Sequence, residues 1–132
     1  MAYIIPNVSE TGILNSLVAS ENMLLKLYSA PTTAPSVTDL ANTYTEVSST
    51  NVPGYVARIL YSALWVISGN QPATAVYPQQ VFNVTGATSV NIVGYYIIGQ
   101  SSGTLYLVEQ FPSPYSFAAG GSVLIAPTLT LK

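Results

Sequence analysis

Five carboxylates, Glu10, Glu21, Asp39, Glu46 and Glu109, are the residues of this chain with the clearest capacity for acid–base chemistry. A glycoside-cleaving site needs two of them facing each other across a cleft, one to protonate the leaving oxygen and one to attack or to activate water. Five scattered acids neither make such a pair nor forbid one. Glu109 stands apart because in LYLVEQF it shares a strand face with Leu105, Leu107 and Phe111. An apolar setting raises a carboxyl pKa and suits a general acid. The favoured reading is structural, an ion pair with Arg58 or a carboxylate capping backbone N–H groups, because structural pairs perturb carboxylates too. Glu109 and Arg58 are therefore the expected ion pair, and Glu109→Gln is expected to cost stability rather than an activity.

A second constellation, Gly99-Gln-Ser-Ser-Gly103, matches the G-x-S-x-G of serine hydrolases. A nucleophile elbow needs a strand, a sharp turn, a helix and a histidine to take the proton. Here an apolar strand pattern follows the loop, and the chain has no His. The reading is a Gly/Ser hairpin loop, and no catalytic residue is assigned. Without His or Cys, and with Asp39, Asn42 and Glu46 off any EF-hand spacing, no metal or other cofactor is expected. Tyr95, Tyr96 and Tyr106 could stack on sugars or bases, but large area with a polar tip suits core and subunit contacts as well.

Three basic and five acidic residues make up 6% of the chain, against about 25% in an average soluble protein. Mixed surface charge keeps soluble monomers apart, and interfaces are depleted in Lys, Glu and Asp and enriched in Tyr. A chain with ten tyrosines and eight charges reads as interface spread over a whole domain. So few cations give no electrostatic footprint for nucleic acid. No apolar run reaches the length of about 18 residues that a membrane helix needs; the longest candidate, Tyr55 to Ile67, contains Arg58. MAYIIPNVSE lacks the basic and apolar regions of a signal peptide. The two N-x-S/T sequons, at Asn7 and Asn83, are therefore set aside.

The elements that must position these residues are mostly strands. Residues 1–8 read as an extended arm. Ser9 can cap a helix ending near Ser20, with Ile13, Leu14, Leu17 and Val18 on one apolar face. From Met23 the period becomes two, with Leu25 and Leu27 opposite Leu24, Lys26 and Tyr28. Residues 30–42 form a Pro- and Thr-rich loop, long for a compact domain and so expected to be functional or partner-bound. Further strands are expected at 43–47, within 57–67, at 76–84, 90–98 and 104–111, and a last one at 123–131, with loops at 85–88 and 112–121. Strands this short, separated by turns about every ten residues, predict a mainly β chain. The expected fold is an antiparallel β-sandwich or barrel with one short N-terminal helix, in a single domain over residues 9–132.

The blocks LLKLYSAPTTAPSVTD, YTEV, YPQQVFNVTGA, VGYYII, LYLVEQF and PYSFAAGGSVLIAPTLTL resemble a group of small β-rich structural proteins of tailed bacteriophages. The resemblance runs over residues 9–131. It implies a virion component without catalytic residues: a capsid decoration, or cement, protein on the head surface, assembled in the host cytoplasm. Its partners would be the major capsid protein and its own copies, as a homotrimer. Related chains often carry an acidic residue after the glycine of the last loop, where Gly120-Gly121-Ser122 stands here, which puts charge-based docking of that loop in doubt. The expected contact residues are Tyr3, Ile4 and Ile5 of the arm, Pro31, Pro35 and Val37 of the long loop, and Tyr115, Phe117, Leu129 and Leu131 near the C-terminus. The alternatives are a phage tail, adaptor or fibre component, or a carbohydrate-binding module.

Overall fold

The computed structural model describes residues 7–69 and 72–131, with side chains described from 11 to 130 outside that gap. Helix α1 spans Asn7–Ala19. Asn7 and Val8 are thus helical, which corrects the expected arm and the Ser9 start: Asn, Ser and Glu are all favoured in and around a first turn, so the helix gains two residues. The rest of the arm, with Tyr3, Ile4 and Ile5, lies outside the described residues. Leu14 and Val18 are buried to 2% exposure and Leu17 is half-buried, but Ile13 is 49% exposed. At about 100° per residue, Ile13 lies roughly 120° from the middle of the Leu14–Val18 stripe, too far round to share it. The helix closes at Ser20, whose hydroxyl donates to Leu17 O at 2.7 Å.

Gly12 lies mid-helix, and a Cβ there would meet nothing within 4 Å. Gly12→Ala is therefore expected to raise stability by about 0.5–1 kcal/mol through helix propensity alone. A denaturant midpoint shifted upward with unchanged slope would record it.

Among the described residues ten strands follow: β1 Met23–Ala30, β2 Thr45–Glu46, β3 Arg58–Leu60, β4 Val66–Ser68, β5 Ala73–Val76, β6 Gln80–Val84, β7 Ile92–Gly99, β8 Leu105–Tyr115, β9 Gly121–Ile125 and β10 Thr128–Leu131. Every pairing is antiparallel. The largest sheet runs β2-β1-β7-β8, with β3 also on β1. The chain is mainly β, with several antiparallel sheets and one helix near the N-terminus.

Three strand boundaries differ from expectation, and in each case proline is the cause. Of the strand expected at 76–84, residues 80–84 form β6, while Val76 closes β5, a strand from Ala73 that was not expected, and Tyr77-Pro78-Gln79 separates the two. The strand expected at 123–131 is β9 and β10, broken at Ala126-Pro127. The breaks face each other. Val76 pairs Thr128 and Gln80 pairs Ile125, so three residues oppose two, and Tyr77 N donates to Pro127 O at 2.9 Å. The result is one ribbon bent at a bulge, where missing proline N–H groups cost no ladder bonds. Conversely, β8 continues through Pro112 and Pro114, placed above in a loop, because it lies at the edge of its sheet where a missing donor is tolerated. Within 57–67 the β reading holds as two short strands around a 3₁₀ turn at Ser62–Leu64.

The alternation of the C-terminal strands survives the bend. Val123, Ile125, Pro127 and Leu129 are buried while Leu124, Ala126, Thr128 and Thr130 are exposed. The inward residues join Met23, Leu25 and Leu27 of β1, Ile97 of β7, Phe82 of β6 and Leu14 and Val18 of α1 in one core. A second, smaller core lies on the opposite face of the large sheet. Tyr28, Tyr44, Val93 and Tyr96 form it, and Tyr44 arrives from the end of the long loop that begins after β1.

Candidate functional site

Each acidic side chain among the described residues accepts a tyrosine hydroxyl. Tyr106 donates to Glu21 at 2.9 Å, Tyr44 to Asp39 at 2.5 Å, Tyr55 to Glu46 at 2.7 Å and Tyr95 to Glu109 at 2.5 Å. Their phenol rings are anchored in the strands and loops that frame the two cores, so each hydroxyl holds a carboxylate at the surface in a fixed place. Burial, reinforced by the carboxylate partner, pushes the Tyr44, Tyr55 and Tyr95 phenols well above their ordinary value. They remain protonated donors across the physiological range.

The Gly99–Gly103 loop joins β7 to β8 as a hairpin connection. Its serines serve Glu21. Ser101 N and Ser102 N donate to Oε1 at 2.9 and 3.0 Å, and Ser102 Oγ donates to Oε2 at 2.6 Å. Gly99 is required here, because a Cβ would stand 2.5 Å from both Cδ and Oε1 of Glu21. The next residue, Asn22, accepts from Gln100 N through its carbonyl and from Ser62 N through its side chain. A motif that imitates a nucleophile elbow is thus a clamp on the junction between α1 and β1.

The donors, Ser102 foremost, hold the Glu21 carboxyl well below the usual range, at about 2 against 4.5. The Tyr44 hydroxyl likewise lowers Asp39. A folded-state pKa below the unfolded one gives stability that is present above the unfolded value and lost as pH falls through the folded one. The melting temperature is therefore expected to fall as pH drops from about 4.5 toward about 2. Glu21→Gln should flatten much of that slope in a thermal melt series. An unchanged slope would show that the clamp does not depend on the carboxylate charge.

The expected Glu109–Arg58 ion pair is not formed. Arg58 lies on β3, where its Nη2 donates to Val81 O at 2.6 Å and its guanidinium stands 5.8 Å from the Phe82 ring centre. Glu109 lies on β8, with β1 and β7 between them in the sheet. Among the described residues the ion pair joins Lys26 to Glu46 at 3.1 Å. Lys26 and Glu46 sit on paired strands, and their pairing depends on a register that spacing alone does not give. Of the other strand acids, Glu109 is also more exposed than its apolar neighbours suggested, because β8 is an edge strand.

Among the expected contact residues, Pro35 and Val37 are exposed, Val37 fully, and Tyr115 is 45% exposed. Pro31 is half-buried. Phe117 is half-buried and packed on the core, with its ring over Gly121. Leu129 is 5% exposed and is corrected to a core residue, since the alternation that made it conspicuous points it inward. The Leu131 side chain lies outside the described residues. Sequence reasoning missed Leu40, Val56 and Val66, exposed at 66, 67 and 64%, and Leu124 at 57%. Apolar alternation marks which residues share a face; it does not say which face is covered.

The exposed apolar residues are organised by register. Val66 and Val76 are directly paired on the outward side of β4 and β5. On the large sheet, Ile59 is exposed at the β3 edge, and its successive cross-strand neighbours Leu24, Ile98 and Leu105 are half-buried, Ile98 and Leu105 packing against the smaller core. Three surface depressions of about 300, 460 and 250 Å³ lie along β8, two against the long loop and one against β9. Asp39 borders the first two and Glu109 the third, so none of these three brings two of the described carboxylates face to face. Among the described residues no group of three acidic, His or Cys side chains could hold a metal, and no helix is long and apolar enough to cross a membrane.

This arrangement defines a mainly β chain whose described acids are each held by a tyrosine and which exposes apolar side chains on several strands. Compared with protein families, with curated proteins and with solved structures, the chain has no match.

Proposed function

We propose that this chain is a non-enzymatic structural protein of a virion, a capsid decoration (cement) protein that binds and stabilises the head shell of a tailed bacteriophage as a homotrimer. The observation that carries the reading is the surface: apolar side chains stand uncovered on several strands while the charged residues that would keep monomers apart are few. A single exposed leucine means little, but Val66 and Val76 paired across two strands, with Val37, Val56 and Leu124 also exposed, make a surface suited to cover by other protein. The long edge strand β8 adds unpaired backbone to that face. A cement protein needs such breadth rather than an active site, because weak contacts repeated by symmetry add through avidity. The resemblance noted in the sequence blocks supplies the virion setting. A tail, adaptor or fibre component would share the surface chemistry and differ in symmetry, six- or twelve-fold rings replacing a three-fold.

The test separates covering from folding. Val37→Lys, Val66→Lys and Leu124→Lys change exposed side chains, so each should move stability by no more than about 0.5 kcal/mol. In combination they should abolish retention on purified phage heads measured by co-sedimentation. Full retention by a folded triple variant would contradict the proposal.

A further inference from the structure

The smallest depression, about 250 Å³ between β8 and β9, has a composition of its own. Its floor is aromatic: Tyr95 lies 6.0 Å from Phe111, and Phe111 meets Tyr115 edge-on at 4.9 Å. Its wall is Leu124 and Ala126, both exposed. Its one charged group is Glu109, whose Oε2 is held by the Tyr95 hydroxyl at 2.5 Å. Among the described residues Oε1 has no hydrogen-bond partner. The two described cations do not supply one: Lys26 is bound to Glu46 and Arg58 to Val81 O beside Phe82. Among the described residues Glu109 is thus a fixed, exposed carboxylate beside aromatic rings with no counter-charge.

We infer that this depression receives an arginine side chain from a partner protein, with the guanidinium stacked on the exposed Tyr115 ring beside Phe111 and donating N–H groups to Glu109. The inference rests on the reading that other protein covers this surface, and it names the chemistry of one contact. Size supports a side chain over a small molecule, since ligand pockets run from about 300 to 1,000 Å³. Charge complementarity supports a cation, and the aromatic rings beside the carboxylate support guanidinium, which stacks on an aromatic face and carries donors in a fixed fork. Ammonium is more strongly hydrated and gains less from such a site. A sugar needs donors as well as acceptors from its host, and the lining offers a single uncommitted side-chain donor, the Tyr115 hydroxyl.

The experiment is an amide chemical-shift titration of the full chain with N-acetyl-arginine methylamide, alongside the lysine analogue and a methyl glucoside. Arginine is expected to shift the amides around Glu109, Phe111, Tyr115 and Leu124 at millimolar concentration, with the lysine analogue weaker and the glucoside silent. Glu109→Gln keeps an acceptor for Tyr95 and should weaken arginine binding about tenfold or more; Tyr115→Ala should weaken it several-fold, with both spectra otherwise native. No arginine-dependent shift, equal binding by a folded Glu109→Gln variant, or a stronger response to the glucoside would overturn the site. Failure here with heads still bound sinks only this contact. Arginine binding by a chain that ignores phage heads keeps the site and sinks the cement reading.

Discussion

Gly94→Ala is expected to destabilise the domain by about 3 kcal/mol or more, lowering the melting temperature by roughly 10 °C or more for a chain of this size. Gly94 lies in the middle of β7, paired with Tyr28 on one side and Gln110 on the other. A Cβ there would collide with the backbone oxygen of Glu109 and stand 2.7 Å from the Tyr28 hydroxyl and 2.8 Å from its ring. The ring can move only by leaving the small core, and the Glu109 carbonyl only by opening the pairing of β7 with β8. Both responses are expensive, and neither is available to a flexible side-chain end. A melt of Gly94→Ala within 2 or 3 °C of the parent, about 1 kcal/mol or less, would mean the β7–β8 irregularity beside Ile92 absorbs the methyl group.

The second large effect concerns Tyr28 itself and runs in two directions. Tyr28 is fully buried, 4.8 Å from Tyr44 and 6.2 Å from Tyr96, ring centre to ring centre. Those contacts fasten the end of the long loop to the sheet. Tyr28→Ala removes the shared ring and should cost about 3–5 kcal/mol, the range for emptying a buried aromatic site. The hydroxyl is a different matter, because it is buried and has no hydrogen-bond partner. Burial, with Asp39 nearby, pushes that phenol's pKa up, so the group stays neutral and simply unsatisfied. Tyr28→Phe keeps the ring and removes the unpaired group, so stability should rise by about 1 kcal/mol. Chemical denaturation of the pair settles it: a loss on Tyr28→Phe would show that the hydroxyl is satisfied after all.

Much of this architecture was legible in the residues. Met23 to Tyr28 announced a strand with two different faces, and both faces proved to matter, one in each core. The GQSSG loop read as a hairpin because no histidine and no helix accompanied it. The proline effects were half legible. Pro127 signalled a break or an edge, but that it would face a second break at Pro78 depends on strands far apart in sequence meeting. The same limit hid the pairing partners of the acids. Glu109 and Arg58 are each on strands, yet only the sheet order says that two strands separate them. Glu21 with Ser102, 81 positions away, is likewise a product of topology. The exposed apolar positions were illegible for a related reason: Val66, Val76 and Leu124 look like core residues until the fold shows which strand faces are left bare.

The central claim is that this nearly uncharged surface exists to be covered by protein, first of all by copies of the same chain. Sedimentation equilibrium over a wide concentration range tests it most directly, against a chain mass of 13.9 kDa. The account predicts a concentration-independent mass of three chains, lost in the Val37, Val66 and Leu124 lysine variant without loss of folding. A monomer that stays monodisperse at the highest concentrations reached would contradict it.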